Sequence, residues 1–120
     1  MANAQATVLR SIDALTFPEL VAKATAVNGT SPADASDNAF SVAASNVDLG
    51  FWECSPGSFA TSRIGVNEVV LILEGSGTLV SESGDRVDHK VGDLVLIPDG
   101  WKGVWEIHEQ FRKYYATIAV

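Results

Sequence analysis

The chain has 120 residues, 47% hydrophobic and 19% charged, which suits one domain with one modest core. Its 8 Lys and Arg are set against 15 Asp and Glu, giving a formal net charge of -7 that repels phosphate backbones and argues against nucleic-acid binding. No apolar run approaches the roughly 18–20 residues of a membrane helix, the N-terminus lacks the basic start and continuous apolar core of a secretory signal, and the single Cys54 can form no intrachain disulfide, so a cytoplasmic setting is expected.

Along the chain, residues 1–39 are rich in Ala, Ser, Asn and Asp and carry no strand pattern. Val8, Ile12 and Leu15 recur at helical spacing, which predicts a short helix over Thr7–Leu15 that Pro18 would interrupt. Asn28-Gly29-Thr30-Ser31-Pro32 is turn-forming punctuation. Residues 1–39 are therefore expected to be an arm, partly helical or irregular, that packs on its own barrel or on a partner. From Phe40 onward short β-branched and aromatic segments alternate with Gly-rich turns. Strands are predicted at Ser41–Ala44, Gly50–Cys54, Ser58–Ile64, Glu68–Leu73, Gly77–Ser83, Arg86–Lys90, Leu94–Ile97, Lys102–His108 and Arg112–Ala119. No helices intervene, so residues 40–120 read as an all-β antiparallel sandwich or barrel. Val69-Val70-Leu71-Ile72-Leu73 is apolar on both faces, and its outer face predicts contact with another sheet or subunit, most simply in a homodimer.

Two segments, Asn67–Gly75 and Gly92–Gly100, hold Glu68, Gly75, Gly92, Pro98 and Gly100 at spacings that resemble the two motifs of the cupin superfamily. The resemblance covers residues 40–120 and implies a cupin (RmlC-like) double-stranded β-helix, a jelly-roll barrel, preceded by the arm. Gly50–Phe59, Pro98–Glu106 and Arg112-Lys113-Tyr114 further resemble the cupin group named for (S)-ureidoglycine aminohydrolase, whose small single-domain members include many without an established function. In the family's metal site a His-x-His pair precedes the Glu, and another His follows the Pro-x-Gly. Here those positions hold Ser62 and Ile64, or Thr61 and Arg63, and then Gly103. No metal and no cofactor is therefore expected.

Glu68 is the leading functional candidate, because its motif position turns it into the barrel with Val70 and Ile72. An ionised carboxylate inside a barrel is costly unless paired, and Arg63 or Lys113 are its expected cations. Trp52, Trp101 and Trp105 are candidate walls of a ligand site, with Gly103 expected to open space between Trp101 and Trp105. Lys113 and Tyr115 share one face of the last strand, and parity alone leaves open whether that face is inside. His89, between Asp88 and Lys90, reads as solvated, and His108 as outward-facing. Cys54 reads as a buried, inert thiol. Three functions stay open at this point: binding of a small polar molecule such as a ureide, sugar or amino-acid derivative; metal-independent acid/base catalysis; and a structural, oligomer-building module with a filled barrel.

Overall fold

A computed structural model of the chain describes residues 4–120, so the first three residues of the expected arm lie outside the described residues. The strands are β1 (Val21–Ala22), β2 (Ala26–Val27), β3 (Ala33–Val42), β4 (Val47–Cys54), β5 (Gly57–Ser62), β6 (Val66–Glu74), β7 (Ser76–Ser81), β8 (Arg86–Lys90), β9 (Leu94–Ile97), β10 (Lys102–Ile107) and β11 (Phe111–Ala119). They build a six-stranded sheet in the order β1-β3-β4-β11-β6-β9 and a five-stranded sheet in the order β2-β5-β10-β7-β8. Every pairing is antiparallel. The two sheets face each other as the jelly roll that the resemblance implies.

The first half of the chain departs from the predicted pattern. Over Thr7–Leu15 there is only one 3-10 turn, Ile12–Ala14, because no apolar surface packs on the Val8 and Ile12 side; both remain exposed. The expected boundary at residue 40 falls inside β3, which starts at Ala33, and the strand predicted at Ser41–Ala44 is instead the end of β3 and a second 3-10 turn at Ala43–Ser45. β3 is ordered by its ladder to β4, from Asp34↔Cys54 to Val42↔Val47, with an irregularity between Asn38 and Phe40.

From β4 onward, burial follows the alternation of the sequence. Gly50, Trp52 and Cys54 point inward from β4, and Glu68, Val70 and Ile72 from β6. In β11 the inward face is that of Phe111, Lys113 and Tyr115, which resolves the choice left open by parity. The inner faces meet in a core of Trp52, Phe59, Leu79, Trp105, Ile107 and Phe111 with the aliphatic residues of β6 and β9. Trp52 and Trp105 stack with centroids 5.6 Å apart, and Phe111 meets both rings edge-on. Gly75 makes the β6–β7 turn at φ 82°, where a Cβ would also run into the Gln110 carbonyl.

The sandwich has two lateral edges. Residues 23–25 join β1 to β2 and so bridge one edge, and residues 91–93 join β8 to β9 at the other. Among the described residues no helix is long and apolar enough to cross a membrane.

Candidate functional site

Inside the barrel one buried carboxylate meets two cations. Glu68 Oε1 accepts from Arg63 Nε at 2.5 Å, and Glu68 Oε2 accepts from Lys113 Nζ at 2.7 Å. The strands explain the convergence: β6 turns Glu68 inward, Lys113 reaches along the inner face of β11, and Arg63 leaves the end of β5. Arg63 is fixed further by Nη1 donating to Thr61 Oγ1 and to the Ser62 carbonyl, both at 2.8 Å. Its backbone clasps the β9–β10 turn, with Arg63 N–H donating to the Trp101 carbonyl and Gly100 N–H to the Arg63 carbonyl.

The Lys113 ammonium lies between two indoles, 4.5 Å from the Trp105 ring centroid and 4.7 Å from that of Trp52. Burial depresses its pKa, and Glu68 pulls it back upward. Burial opposes ionisation of Glu68, but Lys113 and then Arg63 outweigh it and hold the carboxyl below its ordinary value. Two cations against one carboxylate leave one positive charge in excess, inside a chain whose net charge is -7. Tyr115 borders the group, its ring centroid 5.8 Å from Lys113 Nζ, and donates its phenol proton to Asn38 Oδ1 at 3.3 Å. Burial raises its pKa.

Of the residues singled out from sequence, Trp52, Arg63, Glu68, Trp105 and Lys113 come together, with Tyr115 at the border. Trp101 does not join them. It precedes β10 and lines an open cleft of about 530 Å³ at the β8–β9 edge. Leu79, Val87, Val95 and Ile97 line that cleft with Trp101, alongside Ser81, Glu82, Asp85 and Lys102. Ile97 stands opposite Glu68 in the β6–β9 register, so one cross-strand step separates the cleft from the carboxylate.

Two expectations are corrected here. Gly103 opens no space, because a Cβ there would run into the Val80 carbonyl and lie 2.9 Å from Ser81 Cα; the glycine serves a close approach of β7. His89 is buried, 3% exposed, rather than solvated. It is the one inward residue between exposed Asp88 and Lys90, and its Nε2 accepts from Trp105 Nε1 at 2.9 Å. That bond leaves the proton on Nδ1, which is buried without a partner. Burial, followed by the His108 charge, pushes the His89 pKa down to about 4. His108 is half exposed, as its parity predicts. Cys54 is fully buried, and burial drives its thiol up to about 12, which keeps it inert at neutral pH.

Sequence reasoning missed a second charged group. Lys23 Nζ pairs with Asp34 Oδ2 at 2.9 Å and lies 4.5 Å from the Phe59 ring centroid, while Trp52 Nε1 donates to the same Asp34 oxygen at 2.8 Å. The available signal was the register of half-buried Asp34 opposite buried Cys54, visible only once β3 is known to pair with β4.

A divalent metal, which cupin barrels commonly hold, does not fit these residues. Both Glu68 oxygens are engaged by cations, so a metal ion there would face two positive side chains. The position of the family's last histidine has no room for a Cβ. Among the described residues no three His, Cys, Asp or Glu side chains converge as a metal-binding group.

A family model described as EutQ-like cupin domain matches residues 43–115. Among solved structures, the chain is similar to a protein of unknown function of the DUF861 family from Pseudomonas syringae pv. tomato, with TM-score 0.72 and 24% identity over 88% of this chain and 45% of that one. It is also similar to the Clostridium difficile EutQ protein, with TM-score 0.65 and 19% identity over 73% of this chain and 69% of that one. A predicted oxalate decarboxylase from Thermotoga maritima gives TM-score 0.66 and 20% identity over 95% of this chain and 100% of that one. At these identities the three likenesses carry the fold alone, and the chain spans about half the length of the Pseudomonas protein. No curated protein matches the chain.

Proposed function

The chain belongs to the EutQ-like cupin domain family, and we propose that it binds a small polar molecule, a ureide, sugar or amino-acid derivative, without a metal. The observation that carries this reading is the Arg63–Glu68–Lys113 group beside the 530 Å³ cleft, one register step away. The cleft offers an apolar floor with polar groups at Ser81, Glu82, Asp85 and Lys102, and the buried charge group lies behind Ile97, an arrangement that suits a ligand with several hydrogen-bonding atoms. The ureide candidate, and with it kinship to the ureidoglycine aminohydrolase-type group, belongs to this proposal, as does a cytoplasmic setting. Acid/base catalysis fits less well. A carboxylate held below its ordinary pKa by two cations is a weak base, and His89 is turned to the Trp105 indole.

Calorimetric titration with ureides, sugars and amino acids tests the proposal. At least one class should bind, and Glu68→Gln should weaken it by roughly tenfold, about 1.4 kcal/mol, while the fold survives. Binding by none of them at millimolar concentration, or a hit indifferent to Glu68→Gln, would overturn it.

A second reading, a homodimer, is favoured by the outer face of the six-stranded sheet. Leu71 lies between Tyr114 and Leu94 in register, and Val69 between Ala116 and Leu96. Leu94, Leu96 and Ile118 are exposed at 71%, 61% and 46%. The arm touches this sheet through Arg10 on Asp37 and Phe17 against Arg112. A second copy would bury the remaining apolar face, self-complementary about a twofold axis. Sedimentation should show a dimer that Leu94→Lys with Leu96→Lys converts to a monomer; a monomeric wild type at micromolar concentration would end the idea.

A further inference from the structure

The bridged edge of the sandwich holds a second constellation with the chemistry of a cation receptor. Asp34 turns inward from β3, Trp52 from β4 and Phe59 from β5, so both sheets contribute. The Asp34 carboxylate is oriented by the Trp52 indole, whose Nε1 donates to Oδ2 at 2.8 Å. The same oxygen accepts from an ammonium, Lys23 Nζ, at 2.9 Å. That ammonium lies 4.5 Å from the Phe59 ring centroid and 6.0 Å from that of Trp52. One oriented carboxylate and aromatic faces within about 6 Å are what a desolvated ammonium requires. Trp52 and Phe59 are 7% and 4% exposed and packed in the core, so they stand in place independently of Lys23.

The occupant, by contrast, rides on a weakly held segment. β1 pairs through Val21↔Asp34 and Ala22↔Ala33, and β2 through Ala26↔Phe59 and Val27↔Ser58. Between them the segment is tied by Lys23 N–H to the Pro32 carbonyl and by Ala60 N–H to the Thr25 carbonyl. The Lys23 and Asp34 side chains are 21% and 23% exposed. Two-residue strands with few ladder bonds sit at the low end of local stability, so such a segment opens without the barrel unfolding.

We propose that Asp34, Trp52 and Phe59 form a binding site for a small primary alkylammonium ion, and that Lys23 is its built-in, exchangeable occupant. The β1–β2 segment is then a strap that an amine displaces. The site selects a slim aliphatic stem ending in an N–H-bearing cation, because that is the shape of the lysine it already holds. Lys23 acts as an internal competitor, so the intact protein binds amine more weakly than the bare site does. This goes beyond the barrel-interior reading and stands whether or not a ligand binds beside Glu68.

The test is a titration with n-butylammonium chloride at constant ionic strength, following the Trp52 indole N–H resonance and hydrogen exchange at the Ala60 amide. In the wild type, amine should shift the Trp52 resonance and speed Ala60 exchange, because displacing the strap frees the Thr25 carbonyl. Lys23→Ala should bind at least tenfold tighter. Adding Asp34→Asn to Lys23→Ala should abolish binding, and tetramethylammonium, with no N–H for Asp34, should bind more weakly than n-butylammonium. Two results overturn the proposal. One is Lys23→Ala folded but blind to amine. The other is a wild type unmoved at both probes by a hundredfold more amine than saturates the variant, which makes Lys23 a fixed staple. Should Lys23→Ala fail to fold, the wild-type titration decides alone: no shift and no faster exchange at 100-fold molar excess rejects the site.

Discussion

The two lateral edges of this sandwich are finished in opposite ways. At the β1–β2 edge a strap crosses the gap and sets Lys23 on Asp34 and Phe59, closing the barrel with a charged plug. At the β8–β9 edge the inward side chains Leu79, Val95 and Ile97 are left as the floor of an open cleft. The difference lies in what the flanking chain supplies. Residues 23–25 bring a long cationic side chain, one backbone donor and one backbone acceptor to an edge where Asp34 is half-buried and Ser36 and Asn38, two and four residues further along β3, are exposed. Residues 91–93 turn from β8 into β9 with Val91 exposed and Gly92 carrying no side chain. One edge therefore carries its own occupant, and the other offers volume.

Between the two edges lies the Arg63–Glu68–Lys113 group, and breaking it should be at least as costly as any truncation in the core. Glu68→Ala leaves Arg63 and Lys113 without their carboxylate in a site where Lys113 is 5% exposed. Removing one partner of a buried charge group costs about 3–5 kcal/mol. The urea midpoint should fall accordingly with the m-value retained. A variant as stable as wild type would mean that Trp52 and Trp105 alone hold the Lys113 charge.

Truncation at each edge separates the plugged one from the open one. Phe59 packs against Trp52 and Trp105 with centroids at 5.9 and 6.2 Å and also faces Lys23. Phe59→Ala should cost about 3–5 kcal/mol through the cavity and the lost transfer energy. Val87, which lines the cleft, is 52% exposed, and Val87→Ala should stay within about 0.5 kcal/mol. Equal costs at the two positions would show that the cleft closes in solution.

The same contrast explains what was legible in the sequence. Strands β4 to β11 could be placed because most of their inward residues are apolar and most of the turns between them carry glycine. Glu68 with Arg63 and Lys113 was legible because motif position fixed the direction of the carboxylate and electrostatics demanded cations. β3 was not, since Ala33–Val42 reads ADASDNAFSV and has no apolar face; its order comes from pairing with β4. Lys23 was hidden for the same reason, being defined only by partners on β3, β4 and β5. The helix expected over Thr7–Leu15 had the right spacing but no surface to pack on. His89 was misjudged because its neighbours in sequence are charged, whereas its neighbours in space are Trp105 and Phe111.

His89 also makes the smallest predicted effect, a pH dependence belonging to the open edge. It sits on β8, with Trp105 and Phe111 against its ring and Asp88, Asp93, Lys113 and His108 as the charged groups around it. Its folded pKa is about 4, against an ordinary value of 6.5. The folded state thus keeps the imidazole neutral where the unfolded chain protonates it. The stability tied to that neutrality is fully present above pH 6.5 and declines as pH falls from 6.5 toward 4, by on the order of 1–3 kcal/mol. Glu68 adds to the loss only further down, because its folded pKa lies below its ordinary 4.5, and its contribution disappears as pH falls through that lowered value. Between pH 6.5 and 4.5 the decline should therefore follow His89. His89→Phe should flatten it, at the cost of the Trp105 hydrogen bond, and His108→Gln, which removes a half-exposed imidazole, should leave most of it in place. Urea midpoints at several pH values decide the matter. A wild type equally stable at pH 6.5 and 4.5 would mean that Asp93 and Asp88, whose charges favour the imidazolium, offset the burial that disfavours it.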